Sequence, residues 1–273
     1  YLQLILLIAI SFKTIFAQIE QPYPPLNLVS IPTAGTLPRG SFTFESLIIQ
    51  DGGIVPRLCV GFTDNFSFGV SYGVQNLIGN KRPSVNKPTP EVQLKYRVFD
   101  ESDKMPAIVY GLDTQGKGYY HLQDTISTDS MRVLNRYDKK AWGAYMVISK
   151  NWNVLGNLGL HVGINKSLAE NDDGDTDLNL FIGIDKELNR TFSLLIEFDS
   201  ALNDNDYDLQ DISFGRGKGY LNAGLRWAVN SNLMLEINLN DINQNTSAKY
   251  TNREIKIMFS ESVDLFSDCW LIF

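Results

Sequence analysis

The chain has 273 residues, 44% of them apolar, with a formal net charge of −7 and only two cysteines. An acidic chain without clustered Lys and Arg lacks the means to displace counterions from phosphates, which excludes nucleic acid as a partner. Cys59 and Cys269 are too few for a disulfide scaffold or a multi-cysteine metal site; whether the two pair is left to strand geometry.

Residues 2–10 (LQLILLIAI) form an apolar run too short to span a bilayer as a helix, and Ala17 offers a small residue at a cleavage point, so residues 1–17 read as a signal peptide. Residues 18–40 follow as a lead-in rich in proline (Pro22, Pro24, Pro25, Pro32, Pro38). Proline cannot donate to a ladder and breaks helices, so this segment is expected in the periplasm or in a lumen. Residues 41–260 are expected to form the main domain, with 261–273 as a tail or the end of the last strand.

The dominant signal from residue 41 onward is period two, the mark of strands with one apolar face. In 66–75, Phe66, Phe68, Val70, Tyr72 and Val74 alternate with serine, glycine and glutamine. The same alternation returns in 91–98, 157–164, 178–185, 192–199, 221–229 and 233–240. Less regular strands at 41–49, 54–62, 106–113, 141–150 and 253–260 bring the number to about twelve, most of them long enough to cross a membrane at a tilt. Pro56 predicts a bulge or a gap in the ladder of its strand.

Short links at 63–65, 100–105, 151–156, 187–190 and 230–232 alternate with long ones at 76–90, 114–140, 167–177, 200–219 and 241–252. Short periplasmic turns alternating with long outer loops is the plan of an outer-membrane barrel, and an even strand number puts both chain ends on the short-turn side. Phe62, Phe66, Trp152, Phe192 and Trp227 gather near the short turns, as an interfacial girdle would. The predicted fold is therefore all-β: a closed antiparallel up-and-down transmembrane barrel in a bacterial outer membrane. Outer-membrane lipid and the barrel-assembly machinery are its expected partners.

Residues 31–42 (IPTAGTLPRGSF), 106–120 (PAIVYGLDTQGKGYY), 144–152 (AYMVISKNW), 155–165 (LGNLGLHVGIN) and 252–259 (NREIKIMF) resemble YjbH-like bacterial outer-membrane proteins. The resemblance implies a barrel associated with exopolysaccharide production and brings no catalytic motif with it.

By strand parity Lys95, Arg97, Asp113, His161, Asp185, Glu197, Asp199, Arg226 and Glu236 face the lumen, where charge either packs as ion pairs or lines a channel. Their setting among glycine and asparagine suggests room for water. The expected function is a narrow passive channel for small solutes; the alternative is a structural or exopolysaccharide-export barrel, and a barrel-embedded hydrolase ranks third. Neither catalytic residue nor cofactor is expected, because no serine, histidine and acid set singles itself out by spacing. Asp173, Asp175 and Asp177 are weak metal candidates, to be shared with Asp204, Asp206 and Asp208: the glycine comes one place early for an EF-hand loop and the closing glutamate is missing, so a solvated outer loop is the default.

Overall fold

The computed structural model describes residues 25–127, 130–153, 155–205, 215–246 and 251–262. The predicted signal peptide, Asp206, Asp208, Cys269 and residues 263–273 lie outside the described residues.

Sixteen strands follow in chain order: β1 (Ser41–Ile49), β2 (Gly53–Thr63), β3 (Phe66–Ser71), β4 (Val74–Gln75), β5 (Ser84–Val85), β6 (Glu91–Phe99), β7 (Ala107–Asp113), β8 (Lys117–Ser127), β9 (Ser130–Lys139), β10 (Gly143–Asn153), β11 (Asn157–Lys166), β12 (Asn179–Glu187), β13 (Phe192–Asp199), β14 (Tyr220–Ala228), β15 (Leu233–Asn240) and β16 (Asn252–Ser262). Twelve of them, all but β4, β5, β8 and β9, pair antiparallel with their neighbours, and β1 pairs with both β2 and β16. The sheet is thus a closed barrel, which removes the exposed edges that an open sheet would present to lipid.

Register keeps one face apolar. Ile182 on β12 lies opposite Val162 on β11 and Phe198 on β13, and all three point outward and are exposed. A slip of one residue would turn every such side chain into the lumen, so the alternation in sequence specifies the pairing. Replacing Ile182 with Arg puts a charge in the middle of this face and should destabilise a lipid-embedded barrel by about 2–4 kcal/mol. Urea unfolding in liposomes measures this; an unchanged midpoint would mean that the face is not in hydrocarbon.

Phe62 stacks near Phe66 (6.1 Å) and Phe192 on Trp227 (5.9 Å), forming part of a ring of aromatics at the short-turn end. Pro56 behaves as its chemistry requires. It sits opposite Ser46 on β1, while on its other side β3 stops at Ser71 opposite Arg57 and pairing resumes only at Val74 opposite Ile54. The segment 114–140, expected as a loop, instead contains the separate hairpin β8–β9.

The main apolar core lies inside the barrel. Residues 26–33 fold into a tight hairpin, with Leu28 N–H donating to Ile31 O and Thr33 N–H to Leu26 O. Leu28, Val29, Ile31 and Ala34 from this segment pack with the inward-facing Val109, Tyr145, Val147, Phe181 and Leu195. Glycines in the wall make room for these side chains rather than for water. A Cβ at Gly183 would lie 2.5 Å from atoms of both Leu28 and Ile31, and one at Gly111 would lie 2.1 Å from the Tyr145 ring. The expectation of a lumen left roomy by glycine and asparagine therefore needs correction at mid-barrel.

Candidate functional site in the lumen

The hairpin exposes backbone groups in an enclosed space, and each such group must find a partner. The wall supplies them through the charged residues that strand parity directs inward. Glu197 accepts from Ser30 N–H (3.0 Å), Ile31 N–H (3.1 Å), Ser30 Oγ (2.5 Å) and Asn222 Nδ2 (2.8 Å). Lys95 donates to the carbonyls of Leu26, Thr33 (3.1 Å) and Gly35 (3.4 Å). Arg226 donates to Asn27 O (2.9 Å) and Lys256 to Leu28 O (3.0 Å), and both cations pair with the buried Glu236 (2.7 and 3.2 Å). Four of the nine predicted lumen residues, Lys95, Glu197, Arg226 and Glu236, are thus gathered around one hairpin.

The remaining five are placed apart. Asp113 accepts from Arg57 Nη2 (3.1 Å) and Gln93 Nε2 (3.1 Å). Asp199 joins Lys139 (3.2 Å) and Asn179 at the C-terminal end of β13. Arg97 lies at the short-turn rim with Asp100 (2.7 Å) and Asn65 (3.2 Å), away from the hairpin contacts. Arg57, Glu254 and Lys256 were missed because their strands alternate less regularly. The parity of Glu45, Arg57 and Cys59 across β1 and β2 was the signal available. Cys59 itself is buried and has no disulfide partner among the described residues.

His161 and Asp185 complete the set through a residue that sequence spacing did not single out. Ser149 Oγ lies 2.7 Å from His161 Nδ1, and His161 Nε2 lies 2.7 Å from Asp185 Oδ1. This serine, histidine and acid array, which spacing in the sequence does not single out, is assembled from neighbouring strands, since Ser149 faces His161 across the β10–β11 ladder and Asp185 follows on β12. Ser149 Oγ also accepts Ala34 N–H (2.9 Å). With Nε2–H donated to Asp185 and Nδ1 accepting from Ser149, the relay fixes the serine oxygen as an acceptor for the hairpin backbone.

The mouth at the long-loop end is crossed by the base of β8–β9. Tyr137 donates to Glu91 at the start of β6 (3.0 Å), while Lys117 pairs with Glu254 on β16 (2.8 Å) and Lys139 with Asp199 on β13. The acidic segment 171–177 is in part the solvated loop expected, with Asp172, Gly174, Thr176 and Asp177 exposed, but two of its carboxylates are buried. Asp173 is buried against Arg136 (2.8 Å) and Lys140 (2.6 Å), and Arg136 also holds Asp204 (2.8 Å). Asp175 is likewise buried, accepting Asn205 N–H (3.0 Å), and Asp177 N–H donates to it (3.3 Å). The coming together of Asp173 and Asp204 was anticipated, but two side-chain cations occupy the place proposed for a metal. No cluster of three or more metal-ligating groups occurs among the described residues.

Glu170 lies beneath this network, accepting N–H bonds from Tyr137 (2.8 Å) and Ala141 (2.5 Å). Burial pushes its carboxyl up to about 7, against the downward pull of those amides and of Arg136 and Lys140. A carboxyl raised in the folded state stabilises that state fully below its unfolded value near 4.5 and loses the contribution as pH rises through about 7. Hydrogen exchange corrected for intrinsic rates should therefore show the β8–β9 base opening more readily at pH 8 than at pH 5.5, with Glu170→Gln flattening the difference.

A succession of cavities with charged residues in their lining runs along the lumen. The one at the long-loop end, of about 320 Å³, is lined by Lys117, Lys139 and, from β14–β16, Tyr220, Asn240 and Asn252. A second, of about 40 Å³, shares both lysines and reaches Arg57, Asp113 and Asn27. A third, of about 20 Å³, shares those last three and extends to Ser67 and Lys95. The two inner spaces admit only single waters or small ions.

No protein-family model matches the sequence, and comparison with curated proteins gives no match. Among solved structures the chain is similar to the KdgM porin, at 10% identity, covering 80% of this chain and 98% of that one with a TM-score of 0.43. It is also similar to the KdgM porin in complex with disordered oligogalacturonate (12% identity, 80% and 98% covered, TM-score 0.44). An outer membrane channel from Pseudomonas putida F1 matches at 10% identity, with 83% and 97% covered and a TM-score of 0.42.

Proposed function

We propose that this chain is an outer-membrane barrel acting as a narrow passive channel, with its path running beside the lumen hairpin rather than through an empty bore. The succession of cavities from the outer mouth to Lys95, linked by shared lining residues, carries this reading. The outward apolar face supports a lipid setting, with folding by the barrel-assembly machinery part of the same proposal. The Arg57–Asp113 pair lines both inner cavities, and fixed charge beside a narrow path sets the sign of the preferred ion.

Purified protein in planar bilayers tests the reading. A small conductance is expected, with Arg57→Glu shifting the reversal potential toward cation selectivity and Arg57→Gln giving an intermediate shift. Arg226→Glu is not an equivalent probe, because Arg226 is locked against Glu236 and the hairpin. Absence of conductance at every voltage would overturn the channel. The complete burial of Leu28 and Ile31 at mid-lumen favours, in that event, a closed structural or polysaccharide-associated barrel of the YjbH-like kind. A hydrolase built on Ser149 and His161 is the least supported reading, since the serine oxygen is engaged by Ala34; ester hydrolysis lost on His161→Ala would revive it.

A further inference from the structure

A charge paired at short range presents only a dipole to a passing ion, whereas an unpaired one presents its full field, most of all between walls of low dielectric. Seven charged side chains line the inner cavity of about 40 Å³. Six are engaged. Arg57 holds Asp113 (3.1 Å), Lys117 holds Glu254 (2.8 Å), Lys139 holds Asp199 (3.2 Å) and Lys140 holds Asp173 (2.6 Å). Lys256 directs its N–H groups to Glu236 (3.2 Å) and to the carbonyls of Leu28 (3.0 Å) and Val29 (3.3 Å).

The seventh is Glu45. It stands on β1 directly opposite Arg57 on β2, yet the guanidinium reaches past β3 and β6 to Asp113 on β7 instead. Glu45 is half-buried and its side chain forms no hydrogen bond or ion pair among the described residues. Neither of its carboxylate oxygens is among the sealed, unpartnered polar atoms of the interior, so both keep accessible surface, and the space that Glu45 lines is this cavity. Asp51, between β1 and β2, repeats the arrangement in the larger cavity at the long-loop end: it is exposed and its side chain has no partner among the described residues. The other carboxylates there are engaged, Asp138 by His121, Asp241 by Thr246 and Glu254 by Lys117. The unengaged charges lining these two connected spaces are therefore both negative.

We infer that Glu45 is a binding site for a small monovalent cation and the residue that makes the path prefer cations to anions. The inference rests on the channel reading for a continuous path and deepens it by naming the sign of charge carried. A cation in the inner cavity meets a carboxylate that no side-chain cation neutralises. An anion meets the same carboxylate and finds the lysines and the arginine of the lining already held. One free carboxylate falls short of the several oxygens that a calcium ion gathers, which points to a singly charged ion.

Two measurements on the full chain separate the site from the channel. Infrared difference spectra, taken as potassium replaces N-methylglucamine, a cation too bulky for the inner cavity, should show a carboxylate band that is lost in Glu45→Gln and kept in Glu45→Asp. In planar bilayers under a KCl gradient, the protein should favour potassium over chloride by about threefold or more, Glu45→Gln should bring the ratio to about one, Glu45→Lys should invert it and Glu45→Asp should preserve it. Glutamine in place of a carboxylate that holds no partner strands no buried group, so this variant is expected to fold. Absence of the band, or a band indifferent to Glu45, would overturn the inference. Chloride preference in the unaltered protein, or a ratio unmoved by Glu45→Gln, would overturn it and leave the channel standing. The Glu45-dependent band without conductance would remove the channel and leave the cation site in place.

Discussion

Glu197→Gln should release the tip of the lumen hairpin and raise conductance several-fold. The carboxylate now accepts from two backbone amides, a serine hydroxyl and Asn222. Hydrogen bonds to a charged group contribute about 1.5–3 kcal/mol each, and an unsatisfied buried donor is penalised further. Glutamine keeps the shape but turns one oxygen into a donor facing other donors, so the loss should be about 3 kcal/mol or more, a shift of over a hundredfold in the population of the released tip. Hydrogen exchange at residues 28–31 measures the release directly, and bilayer recordings measure its consequence for the path. Unchanged exchange would show that the apolar contacts of Leu28 and Ile31 hold the tip without Glu197. Faster exchange with unchanged conductance would show that the hairpin does not narrow the path.

The largest effect on stability is expected at Glu236, which is buried between Arg226 and Lys256. Removing one partner of a buried ion pair leaves uncompensated charge and costs about 3–5 kcal/mol. Glu236→Leu strands two cations, both of which also hold hairpin carbonyls, so loss of barrel stability and loosening of the hairpin should appear together. Adding Lys256→Met to Glu236→Leu removes one of the two stranded charges and should recover part of the lost stability. A heat-modifiability series on gels, with urea unfolding in liposomes, reads both variants. If the double variant were no more stable than the single one, the cost would lie in packing rather than in stranded charge.

The barrel itself was legible in the sequence because its specification is local. Alternation in segments such as 192–199 sets which side chains meet lipid, and the turn chemistry around 63–65 and 230–232 sets where strands reverse. With period two on twelve strands, neighbours in sequence become neighbours in the sheet, so strand order required no long-range information. The same parity directed Glu197, His161, Arg226 and Glu236 inward. Which of them would meet was beyond it. Ser149, His161 and Asp185 lie on three strands, and only the register of β10, β11 and β12 brings them within hydrogen-bond distance. Residues 26–33 carry no strand period, and their place depends on partners more than 160 positions away, such as Glu197 for Ser30. The acidic run at 171–177 gave no sign that Arg136 and Lys140 would fold over it, because a cation brought in from the β8–β9 hairpin leaves no mark on local spacing. Sequence alone determined the wall of this protein, through side-chain alternation that each strand carries for itself. What fills the wall was decided by the tertiary structure, where buried backbone and charge had to find partners across the lumen.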